Sequence, residues 1–289
     1  MTLASWMHEA EIRLKKGPHP DRARLDAESL LLHLVGRDRA FLIAHGDQEL
    51  SAEGVVRYYA LVERRLGGEP IQYITGEQEF YGLPFHVNHH VLIPRPETEG
   101  LVDRVLELAA GFERPRIVDV GTGSGAIAVT LAARLAEATI TAIDLSEDAL
   151  EVARGNAVRN GAEGKIRFVQ GDLLTPLGPE SPVSASVDIV VSNPPYVPTT
   201  DRAALDKEVR EFEPTLALFA GEDGLEIYRR LIPAAQKALV AGGWLALEIG
   251  YEQADAIRAL LAASGFEKIV FARDLQGIER VATAQLAKP

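Results

Sequence analysis

The 289-residue chain has no cysteine. That excludes disulfides, thiolate metal sites and a cysteine nucleophile, and it suits a reducing compartment. Long apolar runs are missing too. The longest uncharged stretch of interest, Val120 to Ala133, is 14 residues with three glycines, where about 20 apolar residues are needed to span a bilayer. The opening "MTLASWMHEAEIRLKK" brings in acidic residues before any apolar stretch develops, so no signal peptide is expected. Positive charge is also scarce, with 30 Lys and Arg against 42 Asp and Glu, a net charge of −12. Residues 1–69 hold 10 basic and 11 acidic side chains and the remainder 20 and 31, so the deficit of −11 falls almost wholly after residue 69. Enzymes of nucleic acids draw most of their affinity from a basic face. The acidic remainder therefore argues against a duplex substrate. A cytoplasmic protein with no membrane association is expected, and a monomer, since no extended exposed apolar face stands out.

What is present organises into three parts. Residues 1–69 carry helical stripes: Leu3, Trp6, Met7 and Ala10; then Leu25, Ser29, Leu32 and His33, with Leu30 and Leu31 nearby; then Val55, Tyr58, Tyr59, Val62 and Leu66. Asp21 and Ser51 are candidate N-caps. Residues 70–93, from "PIQYITGEQEFYGLPFHV" onward, mix aromatic and β-branched residues around Gly76 and Gly82, which predicts one or two β-hairpins as a linker. His86, His89 and His90 cluster there, but no carboxylate or cysteine stands at ligand spacing, so no metal is expected. From 94 to 289, strands such as "RIVDV", "TITAID", "KIRFV", "VDIVV" and "WLALEIG" alternate with helical segments. Near-continuous apolar strands separated by helices predict an α/β fold, a parallel Rossmann-like sheet covered on both faces. Ligands of such sheets bind at the strands' carboxyl ends, at the switch point.

"VDVGTGSGAIAV" ends a strand and opens a helix. Gly121, Gly123 and Gly125, with Thr122 and Ser124 between them, allow a tight turn and close ligand approach. Asp144 ends the next strand about 20 residues later, suited to a ribose diol. Asp172 ends the third strand, with Leu173 beside it. A carboxylate there can accept a hydrogen bond from an adenine amine, or can simply close a turn. These features point to a nucleoside ligand and leave its identity open.

The fourth strand delivers "NPPY", Asn193 to Tyr196, to the same edge. A dehydrogenase would need an acid–base residue near its carbonyl, and no histidine or lysine stands here. The Asn193 side-chain oxygen and the Pro194 carbonyl can each accept one proton of a planar N–H₂ group. Pro195 stiffens the turn, and the Tyr196 ring can cover the planar face. An amide or exocyclic amine is a poor nucleophile because its lone pair is delocalised. Fixing both protons and aiming the nitrogen at a sulfonium methyl supplies catalysis by positioning. The expected donor is S-adenosylmethionine, and the expected product S-adenosylhomocysteine.

On these motifs, together with "VLIPRPETE", "EFEPTLALFAGEDGLEIYR" and "LEIGYEQ", the chain resembles the HemK-type peptide chain release factor glutamine N5-methyltransferases from about residue 69 to its end. Ala220, where that family more often has glycine, is a small departure. The resemblance implies methyl transfer to the glutamine of the Gly-Gly-Gln loop of class 1 release factors. By resemblance, Gly121 to Gly125, Asp144, Asp172 and Leu173 hold the cofactor, and Asn193, Pro194, Pro195 and Tyr196 grip the amide. Arg95 and Glu97 belong to a segment that closes over the cleft, and the N-terminal helices dock the release factor. The alternative is an N6-adenine nucleic-acid methyltransferase, which shares the NPPY chemistry but needs a flipped base and a basic face. A silent adaptor that binds the cofactor without turnover is set against by the intact Asn193.

Overall fold

The computed structural model describes residues 1–178 and 187–288. In chain order the elements are α1 (Leu3–Leu14), α2 (Ala23–Val35), α3 (Arg39–Ala44), α4 (Ala52–Leu66) and α5 (Ile71–Thr75), then β1 (Glu77–Phe80), β2 (Leu83–His86) and α6 (Glu99–Ala109). The alternating part follows as β3 (Arg116–Val120), α7 (Ala126–Arg134), β4 (Thr139–Asp144), α8 (Glu147–Arg159), β5 (Ile166–Gln170) and β6 (Val187–Ser192). It ends with α9 (Lys207–Phe212), α10 (Thr215–Leu218), α11 (Glu226–Ala238), β7 (Leu239–Glu248), α12 (Ala254–Ala263), β8 (Phe266–Arg273) and β9 (Glu279–Leu286). The chain divides into two compact units: Met1–Glu77 with Leu205–Phe212, and the remainder.

In the first unit, side-chain caps start the helices: Asp38 accepts from the Phe41 amide (2.9 Å) and Ser51 from that of Gly54 (3.0 Å). Asp21 caps nothing. It lies inside a 3₁₀ turn, Pro20–Arg22, and α2 begins at Ala23 without a side-chain cap. The buried face of α2 also differs from the expected stripe. Ala23, Ala27, Leu30 and Leu31 face the core while Leu25 is exposed. The small residues let α4 approach closely enough for the buried Tyr58 hydroxyl to donate to the Ala27 carbonyl at 2.8 Å. "PIQYIT" forms α5 rather than a strand, because Ile71 and Ile74 reach the helical core at helix spacing. One hairpin, β1–β2, follows. Arg65, fully buried, donates through Nε to Asp26 (2.6 Å) and through Nη1 to Glu208 on α9 (2.8 Å), so two carboxylates offset its desolvation.

The second unit holds a seven-stranded sheet in the order β5-β4-β3-β6-β7-β9-β8. The run from β5 to β7 is parallel, and β9 pairs antiparallel with both β7 and β8. Alternate residues feed opposite faces: Ile117 and Val191 join one apolar cluster, Val118 and Val190 the other. Leu101, Val105 and Leu131 cover the first face, Tyr228, Leu231 and Ile257 the second. β7 follows α11 directly, starting at Leu239 ahead of Gly242 and Gly243. β7 runs through them, and the irregularity appears as a register shift opposite β6. The chain begins the sheet at β3, moves outward through β4 and β5, then returns to β6 beside β3. Val120 is paired with Ser192, so the glycine loop and the NPPY segment leave the sheet at adjacent points of one edge.

Candidate active site

At the switch point between β3 and β6 lies a cavity of about 430 Å³. Its floor is the turn after β3. The amides of Gly121 and Thr122 both donate to the Ile143 carbonyl (2.8 and 3.0 Å), which anchors the turn to β4. Gly121 and Gly123 have φ of 72° and 55°, and a Cβ on either would meet no protein atom within 4 Å. The backbone thus faces open cavity with no side chain in the way. Gly125 serves differently. It lies off the cavity wall, and a Cβ there would come within 3.1 Å of the Ala153 Cβ, so its bareness allows α7 to pack on α8. Beneath the turn, Asp119 is fully buried and accepts from the Thr122 hydroxyl at 2.6 Å. Burial pushes its carboxyl up to about 7, against the lowering effect of the Thr122 hydrogen bond.

Asp144 ends β4 as expected, whereas Asp172 lies in the turn two residues beyond the end of β5. Asp144 accepts from the Gly123 amide (2.8 Å) and the Ser146 amide (2.9 Å), which fixes its carboxylate on the cavity wall. Burial raises its pKa, and the backbone amides of Ser146 and Gly123 oppose that shift. Asp172 also lines the cavity but is half exposed, and one oxygen accepts from Arg230 of α11. Leu173 beside it adopts φ of 52°, uncommon for a leucine. Leu145, exposed although apolar, lines the same cavity.

From β6, the buried Ser192 hydroxyl donates to the Val120 carbonyl (2.7 Å), and Asn193, Pro194 and Pro195 then form part of the wall. The Asn193 Nδ2 donates to the Thr98 hydroxyl at 3.1 Å, and that hydroxyl donates to Glu248 Oε2 at 2.6 Å. Tyr196 is not on the cavity wall. Its ring packs against the second apolar cluster, and its hydroxyl reaches Glu248 Oε1 at 3.4 Å. Glu248, fully buried at the end of β7, is pushed up to about 7 by burial, opposed by the Thr98 and Tyr196 hydrogen bonds. Tyr196 is raised as well, by burial first and then by the Glu248 charge. Arg95 lines the cavity and pairs with the buried Glu213, whereas Glu97 is exposed and off the wall.

Thr98, Glu248, Leu145, Arg230 and Asn156 stand at or beside this site without having been singled out from the sequence. Asn156, on α8 and fully buried, accepts from the His86 amide (2.6 Å) and donates to the carbonyls of His86 (2.9 Å) and Ser124 (2.8 Å). It ties the hairpin to the glycine turn. Glu248 closes an apolar strand, as Asp144 does, but that position alone does not mark it as a partner of Thr98 and Asn193. The histidine cluster forms a ring contact, His89 to His90 at 3.9 Å, and His90 lies 3.5 Å from Asp148. Among the described residues no three metal-ligating side chains converge.

Two family models match, the PrmC N-terminal domain over residues 5–76 and the methyltransferase small domain over residues 99–210. A release factor glutamine methyltransferase of Koribacter versatilis is 43% identical over 281 residues, covering 97% of this chain and 97% of its own. One from Deinococcus radiodurans is 41% identical over 287 residues, with 99% of both chains covered. The chain belongs to the release factor glutamine methyltransferase family. As a member it is a methyltransferase, and its cofactor is S-adenosylmethionine. Among solved structures, the human Mettl16 catalytic domain with an RNA hairpin aligns at TM-score 0.57 and 18% identity over 83% of this chain and 85% of that one, a likeness of fold alone. The residues present suit the cofactor: a glycine cradle open to the cavity, a carboxylate held by backbone amides at the next strand end, and apolar Leu145 and Leu173 on the wall. Among the described residues no helix is long and apolar enough to cross a membrane.

Proposed function

We propose that this chain transfers the methyl group of S-adenosylmethionine to the side-chain amide nitrogen of the glutamine in the Gly-Gly-Gln motif of class 1 peptide chain release factors. The observation that carries the reading is the state of Asn193. Its Nδ2 is committed to Thr98, which leaves its side-chain oxygen as the group available to a substrate, beside the Pro194 carbonyl. Two acceptors on one rigid turn match the two protons of a primary amide and repel no charge from it.

In this reading Gly121 to Ser124 and Asp144 hold the cofactor, with Asp172 and Leu173 on the nucleoside side. The bound sulfonium supplies an electrophilic methyl. Asn193 and Pro194 orient the amide nitrogen and localise its lone pair, and positioning of this kind is worth up to about 7–11 kcal/mol in favourable cases. Tyr196 acts by stiffening the turn through Glu248 rather than by covering the substrate, and Arg95 shapes the wall. No covalent intermediate or metal is needed. The amide proton is lost after the nitrogen has become cationic and acidic, so a strong base is unnecessary. The helical unit, whose family model matches residues 5–76, is proposed to dock the release factor.

The test is transfer of labelled methyl from S-adenosylmethionine to a purified class 1 release factor, beside a copy whose Gly-Gly-Gln glutamine is replaced. Label on the first and none on the second is the expected result. Label on neither factor, with label on adenine of a nucleic acid, would overturn the reading in favour of the exocyclic-amine alternative.

A further inference from the structure

Asn193 can help catalysis only in one of its two amide orientations. With its oxygen toward the substrate it accepts an N–H; flipped, it presents its own N–H₂ to an N–H₂, and the two donors repel. Bare geometry distinguishes these states poorly, since the oxygen and nitrogen are nearly the same size. Something must fix the choice.

We propose that Glu248 sets the orientation of Asn193 through Thr98, as a directional relay of hydrogen bonds. The Thr98 hydroxyl has one proton. An ionised Glu248 carboxylate can only accept, so Thr98 must spend that proton on Glu248 Oε2, at 2.6 Å. The Thr98 oxygen is then left as an acceptor, and only the Asn193 Nδ2 can satisfy it, at 3.1 Å. The Asn193 oxygen is thereby turned to the substrate. Tyr196, from the same NPPY turn, also donates to this carboxylate, at 3.4 Å to Oε1. One buried charge thus holds both ends of the turn. Thr98 and Glu248 are each nearly inaccessible to solvent (4% and 2%), so water does not compete for these bonds. Thr98 and Glu248 are positioning residues; Glu248 itself does not line the cavity.

The arrangement makes the relay sensitive to protonation. A protonated Glu248 can donate to Thr98, the chain of donors can reverse, and Asn193 is free to flip. The groups facing Glu248 are few. On its own strand and the next turn lie no cations; Tyr196 and Tyr228 contribute hydroxyls, the latter donating to the Glu248 carbonyl at 2.8 Å. Arg280 on β9 favours the ionised form from a distance, its Nε engaged with Asp274, and Glu97 opposes it. Burial outweighs these and raises the carboxyl to about 7.

The inference rests on the proposed amide-transfer reading, but its test is separable. Wild type, Thr98→Ser, Thr98→Val and Glu248→Gln are compared for kcat and KM of methyl transfer between pH 5.5 and 9, with S-adenosylhomocysteine affinity by calorimetry as the check of fold and cofactor site. Thr98→Ser keeps the hydroxyl and is expected within about threefold of wild type. Thr98→Val keeps the shape, and is expected to lose roughly tenfold or more in kcat with unchanged cofactor affinity, the scale of loss from a misplaced positioning group. Wild-type kcat falls on the acid side through about pH 7, and Glu248→Gln flattens that limb. Equal kcat for the serine and valine variants would overturn the relay even if Glu248→Gln fails to fold. If wild type labels a nucleic-acid amine instead of the release factor, the proposed function fails while the same variants, read on that amine, still decide the relay. If neither acceptor is labelled, side-chain amide NMR of Asn193 in the cofactor-product complex replaces kcat: resonances that shift through pH 7 in wild type and not in Thr98→Val support the relay, and identical profiles refute it.

Discussion

Asn193 and Gly123 make the sharpest single-residue predictions. Replacing Asn193 by Ala removes an acceptor but leaves the cavity floor alone. Turnover should fall by a hundredfold or more, on the scale of about 2.7–4 kcal/mol for one lost transition-state hydrogen bond, while calorimetric affinity for S-adenosylhomocysteine stays within a few fold. Gly123→Val should do the reverse. At φ of 55° a branched side chain is strained, and its Cβ projects into the cavity; cofactor affinity should drop at least tenfold by the same titration. Both positions stand out in the sequence because strand-end glycines and NPPY suggest their chemistry by residue type. Thr98 and Glu248 were not readable in the same way. A threonine in "PETE" and a glutamate in "LEIG" look ordinary until folding brings residues 98, 193 and 248 together, and no local pattern encodes a contact over 150 positions of chain.

Among elements, the parallel strands of the second unit were legible because each is a short, near-continuous apolar run buried on both faces and set between helical segments. The short pieces were not. "PIQYIT" has strand-like composition, yet the two isoleucines that bury in the helical core decide for α5. In α2 the buried face is Ala23, Ala27, Leu30 and Leu31, with Leu25 left outside. Asn156 shows how elements are held to each other. Asn156→Ala would strand one amide and two carbonyls of β2 and the glycine turn. Each unsatisfied buried group costs about 1–3 kcal/mol, so with three groups stranded denaturant unfolding should show a loss of about 3 kcal/mol or more, with cofactor affinity falling as the turn loosens.

For the molecule as a whole, Asp119 and Glu248 put stability and activity on opposite sides of neutrality. Both carboxyls are raised to about 7 when folded, above their ordinary carboxylate range. Between about pH 4 and 7 the folded chain keeps protons that the unfolded chain has released. Stability from each group is therefore complete at low pH and drains away as pH rises, at up to about 1.4 kcal/mol per pH unit. Glu248→Gln, which carries no charge to desolvate, should melt higher than wild type at pH 8, with the gap narrowing toward pH 5 by scanning calorimetry. In the proposed relay, the ionised carboxylate that poises Asn193 is also the form that weakens the fold, a trade expected of a functional group rather than a packing one.

Arg65 carries a last consequence, for heredity rather than chemistry. Its partner Glu208 is encoded more than 140 codons away, on α9, inside the other unit's stretch of sequence. The helical unit is therefore written in two separated passages of the gene. A single cut at codon 77 would not release it whole, and recombination could not pass it to another methyltransferase as a cassette without carrying residues 205–212 as well. A fragment of residues 1–77 should be less stable than the same fragment with a peptide spanning 204–213 added, and lineages of this fold should inherit the two passages together.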